Sequence, residues 1–147
     1  MKIQINNDEK LKNKVELELH EYNKEHCKFI KEHSTGSHTE YKRYNFIAYD
    51  ANNLMIGGGL GTVQYEWYYL EKLWIDENHR KQGIGSKIIK EIEKMAIREN
   101  LVGIRMETWS FQAKGFYEKN GYEVYAVLPN SPRGITTYVL KKELNKL

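Results

Sequence analysis

The chain has 147 residues, and its 23 lysines and arginines against 20 aspartates and glutamates give a formal net charge of +3. This length is typical of one domain, so we expect a single domain over residues 1–147. The charge is too small to indicate a nucleic-acid partner, and a single cysteine excludes an internal disulfide framework. The first ten residues are too polar for a signal peptide, and no apolar run reaches the roughly 20 residues of a membrane helix, so we expect a cytoplasmic protein without a membrane partner.

The start of the chain reads as a short strand followed by a helix. Ile3 and Ile5 alternate with polar residues, which predicts a strand. Asp8 is a candidate N-cap for a helix whose apolar residues recur at helical spacing as far as His26. The small and polar residues 34–38 predict a loop.

Three strands are predicted next, over residues 41–49, 54–64 and 66–75. The third ends in the apolar run 73–75, and a continuous apolar run indicates a strand that is buried on both faces. A polar loop then leads to a strongly amphipathic helix that begins at Ile84. The remaining elements are a strand at 102–108, a short helix at 113–120 and strands at 122–128 and 135–144. The order β-α-ββ-β-α-β-α-ββ predicts an α+β fold with a mixed sheet.

The loop before the amphipathic helix carries the strongest functional signal. Gly83 and Gly85 would let a ligand approach the backbone closely. The free N–H groups of the first helical turn and the helix dipole favour an anion there, and Arg80 and Lys81 add positive charge. The loop lacks the third glycine of a dinucleotide-binding motif and the Gly-Lys-Ser/Thr of a P-loop. It predicts a pyrophosphate site, with an ordinary strand-to-helix turn as the alternative.

Two motifs follow one another in the chain. The first is Arg80-x-x-Gly83-x-Gly85 after a long strand, and the second is the segment Phe-Tyr-Glu-Lys-Asn-Gly-Tyr at residues 116–122. In this order they resemble the GNAT superfamily of N-acetyltransferases. The resemblance covers almost the whole chain, and residues 110–117 look like one bacterial subgroup of small acetyltransferases. It implies the GNAT fold, in which a mixed, mostly antiparallel central sheet carries helices on both faces. It also implies acetyl-CoA as the co-substrate.

The resemblance further implies which residues bind acetyl-CoA. They come from the end of the central strand, the glycine loop with its helix start, and the second motif: Leu73, Trp74, Ile75, Arg80, Lys81, Gln82, Gly83, Ile84, Gly85, Ser86, Ser110 and Phe116. Many family members have asparagine where this chain has Ser110, so a hydroxyl replaces an amide at that contact. A backbone N–H near Trp74 or Ile75 is implied as the donor to the oxyanion of the reaction.

Acetyl transfer to an amine requires an acid for the leaving thiol and a way to remove a proton from the amine. Deprotonating an alkylammonium of pKa near 10.4 at pH 7 costs roughly 4.6 kcal/mol. The resemblance implies that Tyr117 is the acid, and a phenol is protonated at neutral pH.

Glu71 is the candidate base, because some superfamily members use a glutamate on the central strand. Strand alternation places it on the same face as Tyr69, Leu73 and Ile75, where we expect partial desolvation to raise its pKa. The alternative for Glu71 is a structural carboxylate that pairs with a neighbouring cation. In that case the base would be Glu107 on the next strand, or a group that acts through water.

Weaker signals concern the acceptor. Tyr69 and Trp109 are candidate walls of an acceptor pocket, with sheet packing as the alternative. Glu21 and Tyr22 lie where family members often admit the acceptor, which the resemblance alone implies. The five histidines have no spacing typical of a metal-ligand pair, so no metal is predicted.

The resemblance, taken with these residues, implies an acetyl-CoA-dependent N-acetyltransferase that moves the acetyl group directly to a primary amine of a small molecule. A polyamine, an amino-sugar antibiotic and an amino-acid derivative are the expected kinds of acceptor. Two alternatives stay open: a protein lysine or N-terminal acetyltransferase, and a non-catalytic acyl-CoA-binding module. The oligomeric state is also open and includes a homodimer.

Overall fold

The computed structural model describes residues 1–36, 38–39 and 41–144. The chain separates into two compact units, Met1–Tyr41 and Lys42–Leu147, which we describe in turn. Within the described residues, every helix is too short or too polar to cross a bilayer.

The first unit consists of two helices and a small hairpin. Helix α1 (Glu9–His26) begins at Asp8, whose carboxylate accepts hydrogen bonds from the backbone N–H groups of Lys10 and Leu11 at 2.9 and 3.2 Å, as the sequence predicted. Helix α2 (Lys28–His33) follows, and strand β1 (Ser34–Thr35) pairs antiparallel with β2 (His38–Thr39).

Two sequence predictions fail in this unit. Residues 1–8 contain no strand, because Ile3 and Ile5 have no partner strand and their alternation is too short to specify one. The predicted loop at 34–38 is instead part of a small hairpin, in which the two-residue strands β1 and β2 pair with each other. Ser37 lies outside the described residues.

The second unit is built on one six-stranded sheet. Its strands are β3 (Lys42–Tyr49), β4 (Met55–Gln64), β5 (Trp67–Ile75), β6 (Gly103–Trp109), β7 (Glu123–Leu128) and β8 (Thr137–Glu143). They lie in the order β3-β4-β5-β6-β8-β7, and every pair is antiparallel except β5 with β6. This confirms the predicted α+β class and the mostly antiparallel sheet.

Helix α3 (Ile84–Arg98) supplies one side of the core of this unit. Its apolar face is buried as the sequence predicted, with Ile89, Ile92 and Ala96 fully inaccessible to solvent. Helix α4 (Lys114–Lys119) adds Tyr117 to the same core, in which β5, β6 and β8 contribute Tyr68, Leu70, Ile104, Met106 and Leu140. Burial of this continuous apolar surface fixes α3 and α4 on the sheet.

A β-bulge at Glu71 changes which side chains of β5 face the helices. Gly61 pairs with Leu70 but Leu60 pairs with Lys72, so Glu71 is an extra residue in β5. Leu70 faces α3 before the bulge, and Leu73 packs against the same core after it. The predicted simple alternation is therefore wrong: Leu73 and Ile75 do not share the face of Glu71, whose carboxylate lies beside Thr62.

Strands β5 and β6 separate halfway along their length. Their parallel pairing runs from Trp67–Gly103 to Leu70–Met106 and then stops. Strand β5 continues to Ile75 and β6 to Trp109 without pairing to each other. The N–H and C=O groups of β5 that point towards β6 are therefore left for another partner over this stretch.

Candidate active site

A pocket of about 1030 Å³ opens where β5 and β6 separate. It extends from the end of β5, past the start of α3, to α4. Twelve of the sequence-predicted site residues line it: Glu71, Leu73, Trp74, Ile75, Arg80, Lys81, Gly83, Ile84, Gly85, Ser86, Phe116 and Tyr117. Residues separated by up to 46 positions in the sequence are thus brought to one cavity, since the range runs from Glu71 to Tyr117 (117 − 71).

The start of α3 presents unpaired N–H groups to this pocket. Gly83 has φ +77°, a left-handed conformation that favours glycine, and it caps the helix. The backbone N–H of Lys87 donates to the carbonyl of Gly83 at 3.0 Å, so the N–H groups of Ile84, Gly85 and Ser86 have no acceptor within the helix. Three free donors at the positive end of a 15-residue helix suit a phosphate.

Gly85 has a packing role that the sequence did not show. A Cβ atom there would lie 3.0 Å from Cζ of Phe116 and 3.2 Å from its Cε2. The absence of a side chain at Gly85 therefore lets α3 approach the aromatic ring of α4, rather than only admitting a ligand.

Basic side chains also line the pocket. Arg80 and Lys81 were predicted, while Lys72 of β5 and Lys119 of α4 were missed. Lys119 lies inside the second motif, at the end of the short helix. A cation at that position was the feature from which the sequence could have predicted it as a pocket residue. Arg80 also donates from Nε to the carbonyl of Ile75 at 3.1 Å, which ties the loop to the end of β5.

Tyr117 reaches the pocket from within the core. Its side chain is 8% exposed, and burial raises the pKa of its phenol to about 12. Its ring packs edge-on against those of Phe116 and Tyr122, with centroids 5.2 and 6.2 Å away. A phenol with this pKa stays protonated at neutral pH and can donate a hydrogen bond.

Glu71 lies in the pocket but is held by partners. Arg43 donates to its two carboxylate oxygens at 3.0 and 3.4 Å, and the hydroxyl of Thr62 donates at 3.2 Å. These contacts, the Arg43 hydrogen bond foremost, lower the pKa of Glu71. The expected raised pKa was wrong, because the bulge turns the carboxylate towards a cation instead of the apolar run.

Glu107 also lines the pocket, on the opposite strand. It is the first residue of β6 after the last pair with β5, Leu70–Met106. Burial is the largest cause of the raised pKa of the Tyr69 phenol, and the negative charge of Glu107 is the next largest. The two pocket carboxylates thus flank the point at which the strands part.

The turn after β6 is closed by a residue that sequence reasoning did not select. The side-chain oxygen of Gln112 accepts from the backbone N–H of Trp109 at 2.8 Å and from the hydroxyl of Thr108 at 3.2 Å. Gln112 and Phe111 both line the pocket. The resemblance to a bacterial subgroup at residues 110–117 covers both positions, but the closure of the turn by Gln112 depends on the turn geometry.

Four other predicted residues in this unit lie outside the pocket lining. The Ser110 hydroxyl accepts from the backbone N–H of Thr136 at 3.3 Å, and the Gln82 amide donates to the carbonyl of Asn78 at 3.2 Å. Tyr69 lies under the guanidinium of Arg105, 4.5 Å from its ring centroid, and Trp109 packs against Phe111.

The last two predicted residues, Glu21 and Tyr22, lie in α1 of the first unit. The Glu21 carboxylate pairs with Lys24 at 3.0 Å, and the ring of Tyr22 stacks on His26 at 4.1 Å. In the part of the chain that the structure describes, no group of three or more His, Cys, Asp or Glu side chains could hold a metal ion.

Comparison with known proteins points to one family. A family model for the acetyltransferase (GNAT) domain matches residues 42–124. Blasticidin-S acetyltransferase from Streptomyces morookaense is 43% identical over 91 residues, which are 61% of this chain and 67% of that protein.

Solved structures agree with this match. An acetyltransferase from Bacillus cereus superposes with a TM-score of 0.79 and 26% identity, covering 98% of this chain and 99% of the other. An aminoglycoside 6′-N-acetyltransferase complexed with coenzyme A has the same fold, with a TM-score of 0.66, 18% identity, and 99% and 98% coverage. This chain therefore belongs to the GNAT family of acetyltransferases, which use acetyl-CoA as co-substrate.

Proposed function

We propose that this chain transfers the acetyl group of acetyl-CoA directly to a primary amine of a small molecule. The observation that carries the proposal is one continuous pocket. It joins the free N–H groups at the start of α3, the unpaired ends of β5 and β6, and the phenol of Tyr117. A phosphate site, a free strand edge and a proton donor are the three features that a bound acyl-CoA needs.

The residues around the pocket suit the parts of acetyl-CoA. The N–H groups of residues 84–86, with Lys81 and Lys119, would hold phosphate oxygens. The unpaired edge of β5 beyond Leu70 offers N–H and C=O groups to amides of the ligand, and its N–H groups near Trp74 and Ile75 are donors for an oxyanion. When bound, acetyl-CoA supplies an activated thioester.

Tyr117 assists departure of the thiol in this proposal. If the thiol has a pKa near 8.5, complete transfer of a proton from a phenol of pKa about 12 would cost roughly 5 kcal/mol. We infer that Tyr117 stabilises the departing sulfur by donating a hydrogen bond. Final protonation can then come from the solvent.

Direct transfer fits the chemistry of the pocket walls. None of the described residues that line the pocket is a cysteine, and the one cysteine of the chain, Cys27, lies between α1 and α2. The pocket therefore offers no thiol to carry an acetyl group between two half-reactions. The amine, after giving up a proton to water, would attack the thioester carbon itself, and the carbon–sulfur bond would break to release the thiolate of coenzyme A.

The relative named for blasticidin S supports a small-molecule acceptor. The deciding experiment is a thiol-release assay with acetyl-CoA and a panel of amines: blasticidin S, polyamines, amino sugars, amino-acid derivatives and lysine-containing peptides. Release with one or more small amines, together with an acetylated product in mass spectrometry, is the expected result. Release with peptides alone would overturn the acceptor class, and tight acetyl-CoA binding without any release would indicate a non-catalytic module.

A further inference from the structure

The pocket contains two carboxylates in equivalent positions on the two strands that separate. Glu71 follows Leu70 on β5, and Glu107 follows Met106 on β6, immediately after the last pair of the parallel ladder. Either could meet an amine that enters between the strands. Their surroundings differ, and that difference assigns them separate roles.

Glu71 has its charge already matched. Both of its oxygens accept from Arg43, at 3.0 and 3.4 Å, and one also accepts from Thr62 at 3.2 Å. This two-point guanidinium contact spans from β3 to β5 and holds the extra residue of the bulge in place. An ammonium that approached Glu71 would have to compete with a guanidinium that is part of the same sheet.

Glu107 has no such partner. In the described part of the chain it makes no ion pair and no side-chain hydrogen bond. The nearest cation on its own strand, Arg105, is directed elsewhere: it lies over the ring of Tyr69 and donates to the side-chain oxygen of Gln64 at 3.2 Å. Glu107 is exposed and lines the pocket, so its negative charge is open to a ligand.

Aromatic side chains line the same pocket. Trp74 and Phe111 both line it and are 47% and 66% exposed. Their faces attract a cation as well as an apolar body. A free carboxylate in one pocket with two accessible aromatic rings is a combination that suits an alkylammonium group.

We propose that Glu107 binds the protonated amine of the acceptor, and that Glu71 is a positioning residue that remains paired with Arg43. This inference rests on the proposed acetyltransferase function and names its acceptor class: a cationic primary alkylamine whose carbon skeleton lies against Trp74 and Phe111. A carboxylate next to an ammonium stabilises the charged form. The role assigned to Glu107 is therefore binding and selection of the acceptor rather than removal of its proton.

The test compares Glu107→Gln with Glu107→Asp and with Glu123→Gln, using the best amine from the thiol-release panel. Glu123 is a matched control because it lies on the sheet, at β7, and its loss removes one negative charge away from the pocket. Glu107→Gln should raise KM for the amine at least tenfold and leave KM for acetyl-CoA within twofold. Glu107→Asp should recover part of the loss, and Glu123→Gln should match the wild type.

A pair of inhibitors separates charge from shape. Choline carries a trimethylammonium group, and 3,3-dimethylbutan-1-ol is its neutral isostere. The wild type should be inhibited more strongly by choline than by the neutral alcohol. Glu107→Gln should lose most of this preference and keep only the part that the aromatic rings supply. Glu71→Gln should keep the full preference for choline. Unchanged KM for the amine in Glu107→Gln, or loss of the choline preference in Glu71→Gln instead, would overturn the assignment. A wild type that releases no thiol with any amine would overturn the proposed function. An active enzyme whose KM for the amine does not change in Glu107→Gln would overturn only the role of Glu107.

Discussion

Gly85 of α3 and Phe116 of α4 are in such close contact that a methyl group on Gly85 would lie 3.0 Å from the ring. Gly85 belongs to the helix start that presents free N–H groups, and Phe116 is next to Tyr117 in the sequence. The contact therefore sets the distance between the helix start that we propose for phosphate and the phenol that we propose as hydrogen-bond donor. Packing between two helices fixes the length of this part of the pocket.

Gly85→Ala should lower the free energy of unfolding by about 1–3 kcal/mol, because the added methyl overpacks the contact with Phe116. Gly115→Ala is the matched control: Gly115 is inside α4 with open space around its Cβ position, so alanine should be neutral or stabilise by up to ~1 kcal/mol. Urea denaturation measures both. Equal stabilities of the two variants would contradict the close packing, and adding Phe116→Leu to Gly85→Ala should restore part of the loss.

Gly83→Asp should abolish measurable binding of acetyl-CoA, since it places a negative charge at the helix start where phosphate is expected. Gly83→Asn is the comparison, because asparagine tolerates the left-handed backbone at φ +77° and adds no charge. Isothermal titration calorimetry should give an affinity for the asparagine variant that is at least tenfold higher than for the aspartate variant. If both bind acetyl-CoA like the wild type, the phosphates lie elsewhere.

Tyr117→Phe should lower kcat by about 10–100-fold, the effect of losing one hydrogen bond to a developing charge. No hydrogen bond from this phenol to another described residue is seen, so the variant should fold with near-native stability. Acetyl-CoA affinity should change less than threefold in calorimetry. A kcat equal to that of the wild type at saturating amine would exclude Tyr117 from the reaction.

The free energy of unfolding should fall more steeply at alkaline pH than it would if every tyrosine had the same pKa in the folded and unfolded states. Burial raises the pKa of Tyr117 from 10.0 to about 12, and it also raises the pKa values of Tyr68 and Tyr122. A raised pKa means that the native state holds its proton longer than the unfolded state. The stabilisation is complete below about pH 10 and is lost as the pH rises towards about 12, by roughly 1.4 kcal/mol per pH unit for each buried tyrosine.

Denaturant titrations at pH 9, 10 and 11 measure this slope, and absorbance at 295 nm reports tyrosinate. Tyr117→Phe should make the slope shallower. A slope in Tyr117→Phe equal to that of the wild type would mean that Tyr117 ionises normally in the folded state.

Local patterns in the sequence predicted most of the sheet and both helices of the second unit. The apolar period from Ile84 onwards specified α3, and Asp8 specified the start of α1, because each depends on residues within a few positions. The same kind of evidence failed at Ile3 and Ile5. Two alternating residues mark a strand only when another strand is available to pair with them.

The candidate site was predictable as a set of loops but not in its electrostatics. The resemblance located residues 80–86 and 116–117, and the structure brings all of them except Gln82 to one pocket. It could not show that Arg43 holds Glu71, since those residues are 28 positions apart and meet only because β3 and β5 flank β4. Nor could it show the contact of Gly85 with Phe116, which arises from packing between two helices.

The extra residue at Glu71 keeps the two segments of β5 in phase with the core. Leu70 and Leu73 are three positions apart, and both reach the core because the bulge offsets the side-chain alternation by one residue. Deleting Glu71 would leave them two positions apart in a regular strand, so both would still face the core. A single-codon deletion here would therefore remove the bulge and the carboxylate that Arg43 and Thr62 hold, without exchanging the two faces of the strand.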